Sequence, residues 1–342
     1  MSTQKNILPA EWHTQLAVQL TWPHAGSDWA DRLNEAESCF VEIAEAIAAR
    51  QQLIIVCDDA IRVKKQLKES LHNNILFFEC PANDTWARDH GGITVLENGK
   101  PVIYDFCFNG WGMKFAANHD NLITRQLSKH SFFEAYGYQN MNFFVFEGGS
   151  IESDGRGTLL TTSACLLSAN RNDSLSQHEI EACMQQFFGA DRILWLNHGY
   201  LAGDDTDSHI DTLARFCDES TIAYVQCTDR NDEHYEALKR MEEELKQFRQ
   251  PNGEAYRLVP LPMAKPVYDK VDGHRLPATY ANFLIINEAV LLPVYNCPTD
   301  EAAIHIMQQT FPDREIVPVD CSILITQHGS LHCVSMQYPK FD

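Results

Sequence analysis

Apolar residues recur every three or four positions in four stretches of this chain. In "HYEALKRMEEELKQF", Leu238, Met241, Leu245 and Phe248 fall on one side of a 3.6-residue turn, which predicts an amphipathic helix. The stretches "SDWADRLNEAESCFVEIAEAIAAR", "SLSQHEIEACMQQFFG" and "TDEAAIHIMQQTF" read the same way, the last two opening on Ser174 and Thr299 as N-caps. A shorter helix is predicted from Ile123 to Tyr136.

Between the helices lie short runs rich in Val, Ile and Phe: "QLIIVCDD", "ILFFEC", "NFFVFEGG", "RILWL", "TIAYVQC" and "REIVPV". They read as strands. Two hairpins carry turn residues of the right kind, at Asn98-Gly99 and near Asp154-Gly155, and "NFLIINEAVLLPVY" folds back at Asn287-Glu288. Hairpins therefore alternate with single helices. Helix starts near Ser174, His234 and Thr299 suggest a repeated ββαβ unit, although no sequence motif repeats and the pattern leaves the number of units open. No Gly/Ser/Pro-rich linker divides the chain, so residues 1–342 are expected to form one α/β domain.

Composition narrows the classes. Hydrophobic residues make up 44% and charged residues 22%, as in ordinary globular chains. The first residues, "MSTQKNILPAEWH", lack a basic region followed by an apolar run, and no apolar stretch reaches the length of a membrane span. Neither a secretory signal nor a membrane partner is expected. Eleven cysteines occur singly, with no CxxC pair, which reads as reduced cytoplasmic thiols. A formal charge of -20 disfavours nucleic acid as a partner and would attract a small cation, though an acidic surface also serves solubility alone.

Four polar clusters lie at the ends of predicted strands. "WARDHGG" holds Trp86, Arg88, Asp89 and His90. "FEGGSIESDG" holds Glu147 just after an apolar run, where a carboxylate must find a donor or shift its pKa. A structural salt bridge satisfies that demand as well as a catalytic role does. "GDDTDSHIDTLARF" holds Asp204, Asp205, Asp207, His209 and Asp211. On a strand, His209 and Asp211 would share a face, suited to acid–base work. The same pair can supply two metal ligands, but no HExxH or paired-cysteine spacing completes a metal site. "LITQHGSLHCVSMQYPK" places His332 and Cys333 side by side after Gly329, beyond the strand-like run "SILITQ". A lone cysteine is commonly a small buried hydrophobe, whereas a nucleophilic one needs a base or a depressed pKa.

In this order, WxRD with glycines, EGGS, DxHxD and a terminal GxxHC, the motifs resemble the guanidine-modifying deiminases. More narrowly they resemble the agmatine deiminase, or porphyromonas-type peptidyl-arginine deiminase, family. "PAEWHTQLAVQLTWPH", with Trp22-Pro23, and "FNGWGMKF", with Trp111 and Lys114, extend the likeness over nearly the whole chain. The resemblance implies a pentein fold, a five-bladed α/β propeller of ββαβ units with pseudo-fivefold symmetry and the site in its central channel. It implies that water replaces one guanidinium nitrogen, leaving a urea and ammonia, with no metal or organic cofactor. It casts Cys333 as nucleophile through a thiouronium intermediate and His209 as acid and then base. Asp89 and Asp211 are cast as clamps on the guanidinium nitrogens, and Glu147 as orienting His209 from behind. Gly329 is expected to free the loop that carries Cys333. His332 receives no role beyond packing or support of its neighbours.

The chain departs from the family in its walls. "QHGSLHC" has one glycine where the family shows a run, "HGGITV" replaces a glycine-proline, and Met113 stands where a second glycine is usual. These changes bear on the substrate more than on the reaction. Agmatine, a cation at both ends, is the first expectation, with Trp86, Trp111 and Asp205 among the candidates to meet its distal amine. Free arginine would require a basic residue for its carboxylate, for which Arg88 or Lys114 would serve. Peptidyl arginine would require an open channel and extra domains. Two other classes stand beside these: a metal-dependent amidohydrolase built on His209 and Asp211, and a non-catalytic pentein that only binds a guanidino compound. A homodimer is compatible with the resemblance.

Overall fold

The computed structural model describes residues 5–341. Its strands and long helices repeat one pattern five times: an antiparallel hairpin, a crossover helix, and a strand returning parallel to the hairpin's second strand. The first unit contains β1 (Gln15–Thr21), α1 (Leu33–Ala48) and β2 (Gln52–Cys57), with β3 (Ile75–Glu79) added parallel to β2. The second is β4 (Ile93–Glu97), β5 (Lys100–Cys107), α2 (Asp120–Leu127) and β6 (Gly137–Val145). The third is β7 (Ile151–Ser153), β8 (Thr158–Thr162), α3 (Gln177–Phe188) and β9 (Arg192–Leu196). The fourth is β10 (Ala214–Asp218), β11 (Thr221–Gln226), α4 (Tyr235–Gln247) and β12 (Arg257–Pro262). The fifth is β13 (Leu284–Ile286), β14 (Ala289–Val294), α5 (Asp300–Thr310) and β15 (Glu315–Asp320). The last strand, β16 (Ser335–Pro339), pairs antiparallel with β1 and so supplies the first unit's missing hairpin partner. These are the five ββαβ blades of a pentein, and the chain's two ends close the ring.

The middle strands are covered on both sides. Every residue of β8 is buried, and β11 and β14 are buried except at their last residue. That is why they read as continuous apolar runs instead of alternating ones. In α4, Leu238, Met241 and Leu245 are buried, as the spacing predicts. The hairpin turn at Asn98-Gly99 has φ of 50° and 78°, the left-handed pair of a type I′ turn, and Glu288 turns the fifth hairpin with φ of 65°. Among the described residues, no helix is long and apolar enough to cross a membrane.

Four local expectations change. The cap of α3 is Ser176, not Ser174; Ser176 and Glu179 form a reciprocal capping box, which the pattern S-x-x-E favours. Thr299 holds the N-cap position of α5, but its side chain caps nothing. The segment "SILITQ" is not a strand: Leu324–Gln327 form a 3-10 turn, with His328 left-handed at its end (φ 69°). The helix predicted from Ile123 to Tyr136 is shorter, because α2 gives way to a 3-10 turn at Ser131–Phe133 before β6 begins.

Candidate active site

A short irregular segment precedes the first strand of every blade, and all five segments bring polar side chains to one place. Asp89 lies before β4, Glu147 and Gly149 before β7, His209 and Asp211 before β10, Asn282 before β13, and His332 with Cys333 before β16. None of the expected residues stands on a strand. Asp89 sits on a helical turn, Ala87–His90, and His209 and Asp211 lead into the 3-10 turn Ile210–Thr212. The face-sharing argument for a strand thus fails, yet both side chains still border the same spot, on either side of Gly149.

The cluster is buried. Asp89 accepts hydrogen bonds from the Gly149 amide at 3.0 Å and from Trp111 Nε1 at 2.9 Å. His209 Nδ1 lies 3.6 Å from Asp89 Oδ1 and Nε2 lies 3.9 Å from Glu147 Oε2, and neither ring nitrogen has a hydrogen-bond partner. Glu147 is gripped by Arg171 Nε at 2.9 and 3.1 Å, and Arg171 also binds Asp207 at 2.6 Å. The salt-bridge reading of Glu147 is therefore realised, with the carboxylate at ion-pair distance from His209 as well. The Cys333 thiol lies 3.4 Å from Asn282 Oδ1 and 3.7 Å from Asp211 Oδ2.

Burial sets the protonation states. It pushes the Cys333 thiol well above its ordinary value, and the charges of Asp211 and Asp89 push the same way. Burial lowers His209 to about 3, so the ring is neutral. Asp89 is raised well above the usual carboxylate range by burial and by the charge of Asp211. Burial also acts to raise Asp211, but the hydrogen bond and charge of His332 outweigh it and hold this carboxyl low. An arriving cation would reverse much of this, favouring thiolate and both carboxylates.

A pocket of about 430 Å³ opens above Cys333 and Asp89. Its wall includes Trp86, Trp111, Phe115, Asp28, Asp84, Asp205, Thr206, His328 and Gly329. Asp28 and Asp84 are pocket acids that motif order missed; Asp84 is raised by burial to about 6. Asn282 was missed too, although its place before a blade's first strand matches that of the others. Gly329 matters for closeness, not for chain freedom. A Cβ there would stand 2.1 Å from the Trp86 ring, and its φ is not among the left-handed ones. Neither basic residue considered for an arginine carboxylate lines the pocket. Arg88 turns away to Gln337 (2.6 Å) and Glu11 (3.6 Å), and Lys114 is held by Asp207 and the carbonyl of Asp205. Met113 adopts φ of 66°, the region that favours the glycine usual at that position.

For a metal, the suitable group is not His209 with Asp211. Among the described residues three groups have ligand atoms within 4.8 Å of one another, Glu147–Cys165–His209, Glu11–Glu152–His332 and Asp269–Asp272–His274, and the one that includes His209 is the first. The Arg171 guanidinium bonded to Glu147 already places a fixed positive charge there, which opposes a second cation.

A five-bladed ring with a buried thiol, a neutral imidazole and paired carboxylates at its centre defines a pentein of the guanidine-modifying kind. The family model of the Porphyromonas-type peptidyl-arginine deiminases matches residues 7–339, and the chain belongs to that family. A Legionella pneumophila protein named "Putative agmatine deiminase" is 32% identical over 339 residues, covering 97% of this chain and 94% of its own. The crystal structure of the "Putative Arginine Deiminase" from Porphyromonas gingivalis superposes with a TM-score of 0.94 at 56% identity, covering 98% and 99% of the two chains. A cysteine-to-serine variant of the C. jejuni agmatine deiminase with substrate bound gives 0.91 at 38% identity, covering 98% and 96%.

Proposed function

We propose that the protein is a hydrolase of the agmatine deiminase type, converting agmatine and water to N-carbamoylputrescine and ammonia. The observation that carries this reading is the charge of the pocket wall. Asp28, Asp84, Asp89 and Asp205 line it, and among the described residues no lysine or arginine does. A substrate cationic at both ends suits such a wall, whereas the carboxylate of free arginine would meet acids.

Asp89 and Asp211 hold the guanidinium nitrogens and fix its plane for attack. The bound cation favours ionisation of Cys333, whose Sγ bonds to the guanidinium carbon. The thiol's proton, handed on by His209, leaves on the departing nitrogen as ammonia, and a thiouronium remains on sulfur. His209 then draws a proton from water as its oxygen bonds to the same carbon. The C–S bond breaks, giving the urea and restoring the thiol. Glu147, anchored by Arg171, steadies His209 from behind. Trp86, Trp111 and Asp205 contact the substrate's chain and distal amine. The chain acts as one catalytic unit over residues 1–342, needs no cofactor, and works in the cytoplasm; eleven free thiols support a reducing compartment.

The test is a substrate panel of agmatine, arginine and a blocked peptidyl arginine, quantifying ammonia and ureido product, with Cys333→Ala and a chelator alongside. Turnover of agmatine alone is expected, abolished in Cys333→Ala and untouched by chelator. Preference for arginine would transfer the reading to the activity in the P. gingivalis protein's name. Turnover that survives Cys333→Ala, or is lost to chelator, would replace the thiol mechanism with the metal one.

A further inference from the structure

The histidine beside the nucleophile has a more specific setting than packing. His332 is buried, and each ring nitrogen meets a carboxylate: Nδ1 lies 2.7 Å from Asp211 Oδ2 and Nε2 lies 2.6 Å from Glu11 Oε2. Glu11 comes from the segment before β1 and is itself held as an anion. Arg215 Nη2 donates to it at 2.9 Å, the Ile285 amide at 2.7 Å, and Arg88 lies 3.6 Å away. The ring thus bridges two carboxylates, one at each nitrogen, and is fixed in its plane by both contacts. Its backbone is pinned as well, the His332 amide donating to Asn282 Oδ1 at 2.9 Å.

This arrangement decides which oxygen of Asp211 is free. Oδ2 is taken by His332 and faces the thiol, while the buried Oδ1 has no hydrogen-bond partner. A guanidinium N–H would complete it. We infer that Glu11 and His332 are positioning residues. A ring held at both nitrogens locks the rotation of Asp211 so that Oδ1 faces the guanidinium, and its contact with Oδ2 offsets the carboxylate's charge beside the Cys333 sulfur. The groups facing this pair are Glu11, Arg88, Glu152 and Arg215 around His332, and His209, Asp89 and Cys333 around Asp211. Of these, only His332 hydrogen-bonds the Asp211 carboxylate with a ring N–H.

The kinetic half of the test rests on the deiminase reading; the chemical half does not. His332→Gln keeps a polar group of similar reach but cannot bridge the two carboxylates as the ring does. The first measurement is the rate of Cys333 alkylation against pH in the free protein, followed by mass spectrometry of the Cys333 peptide. With Asp211 uncompensated, thiolate formation becomes harder, and the profile should move up by about one pH unit. The second is kcat/KM for agmatine against pH: the acid limb should move to higher pH as Asp211 becomes easier to protonate, with kcat/KM near neutrality falling about tenfold or more. Glu11→Gln should shift both profiles in the same direction by less, and it stands in should His332→Gln fail to fold. A merely structural role would lower the melting temperature and leave both profiles in place. Folded variants whose alkylation and kinetic profiles coincide with the wild type would overturn the assignment. If the wild type turns over no guanidine, the deiminase reading fails while the alkylation profiles still decide this one.

Discussion

Gly149 shows how little room the site has. A Cβ at this position would stand 2.6 Å from His209 Nδ1, 2.8 Å from Asp89 Oδ1 and 3.2 Å from Asp211 Oδ2. The backbone itself forms the wall between the imidazole and the two carboxylates, and its amide donates to Asp89. Gly149→Ala must displace at least one of them. Overpacking of this kind costs about 1–3 kcal/mol, and a small misplacement of reacting groups costs far more in rate than in stability. The expected outcome is a folded protein with a modestly lowered melting temperature and turnover reduced by about a hundredfold or more. Near-normal turnover in Gly149→Ala would show that the cluster tolerates a shift that this geometry forbids. The motif EGGS singled out Glu147, but which glycine is indispensable, and against what, depends on atoms brought from two other blades.

At the scale of elements, a division of labour runs through every blade. Hairpins and crossover helices build a stable ring, and the short segments before each hairpin carry the polar side chains inward. Changes to the outer helices should therefore reach stability without reaching chemistry. The capping box of α3 is a clear case: Ser176 accepts from the Glu179 amide, and Glu179 accepts from the Ser176 amide at 2.8 Å. Ser176→Ala removes the cap. A melting temperature lower by a few degrees, with kcat and KM for the substrate unchanged, is expected; a changed KM would mean that α3 is coupled to the pocket. The helices and hairpins were readable because their signals are local: spacing of apolar residues, Asn-Gly at a turn, S-x-x-E at a cap. The segments before the strands were misread as strand because polar residues next to an apolar run carry no local sign of a 3-10 turn.

For the whole molecule, the raised acids should act on stability and on substrate capture in opposite directions as pH changes. Burial raises Asp84 to about 6 and Asp120 to about 7, against partial relief from backbone amides. The folded protein keeps these protons to higher pH than the unfolded chain, which loses them near pH 4. Their contribution to stability therefore grows as pH falls from above 7 toward 4. Partial burial also acts to raise Asp232 and Glu242, but Arg275 in one case and Lys239 and Lys246 in the other hold them at about 2. Their contribution is in place above about pH 4 and fades only below it. Buried His90 and His209, lowered by burial to about 3, pull the other way over the same interval, so the check is a comparison: between about pH 5.5 and about pH 8 the melting temperature of the wild type should fall relative to that of Asp120→Asn. Over the same interval Asp84 loses its charge, so KM for a dicationic substrate should rise as pH falls through 6. Thermal melts of the wild type and Asp120→Asn, with steady-state kinetics of the wild type, at the two pH values check both slopes; an unchanged difference in melting temperature with a flat KM would contradict the assignment of Asp84 and Asp120.

Much of this protein was determined by the sequence alone. The α/β class, the alternation of hairpins and helices and the turn at Asn98-Gly99 follow from short-range periodicity and backbone preference. The residues Asp89, Glu147, His209, Asp211 and Cys333 followed from motif order. Tertiary structure decided what needs distant segments to meet. Ring closure pairs β16 with β1 across the length of the chain, and that same step sets His332 between Glu11 and Asp211. It turned Arg88 out of the pocket and put Asp28, Asp84 and Asn282 around the thiol. The physical reason is range: hydrophobic period and turn preference act within a few residues, whereas protonation state and substrate fit depend on charges brought within a few ångströms by folding.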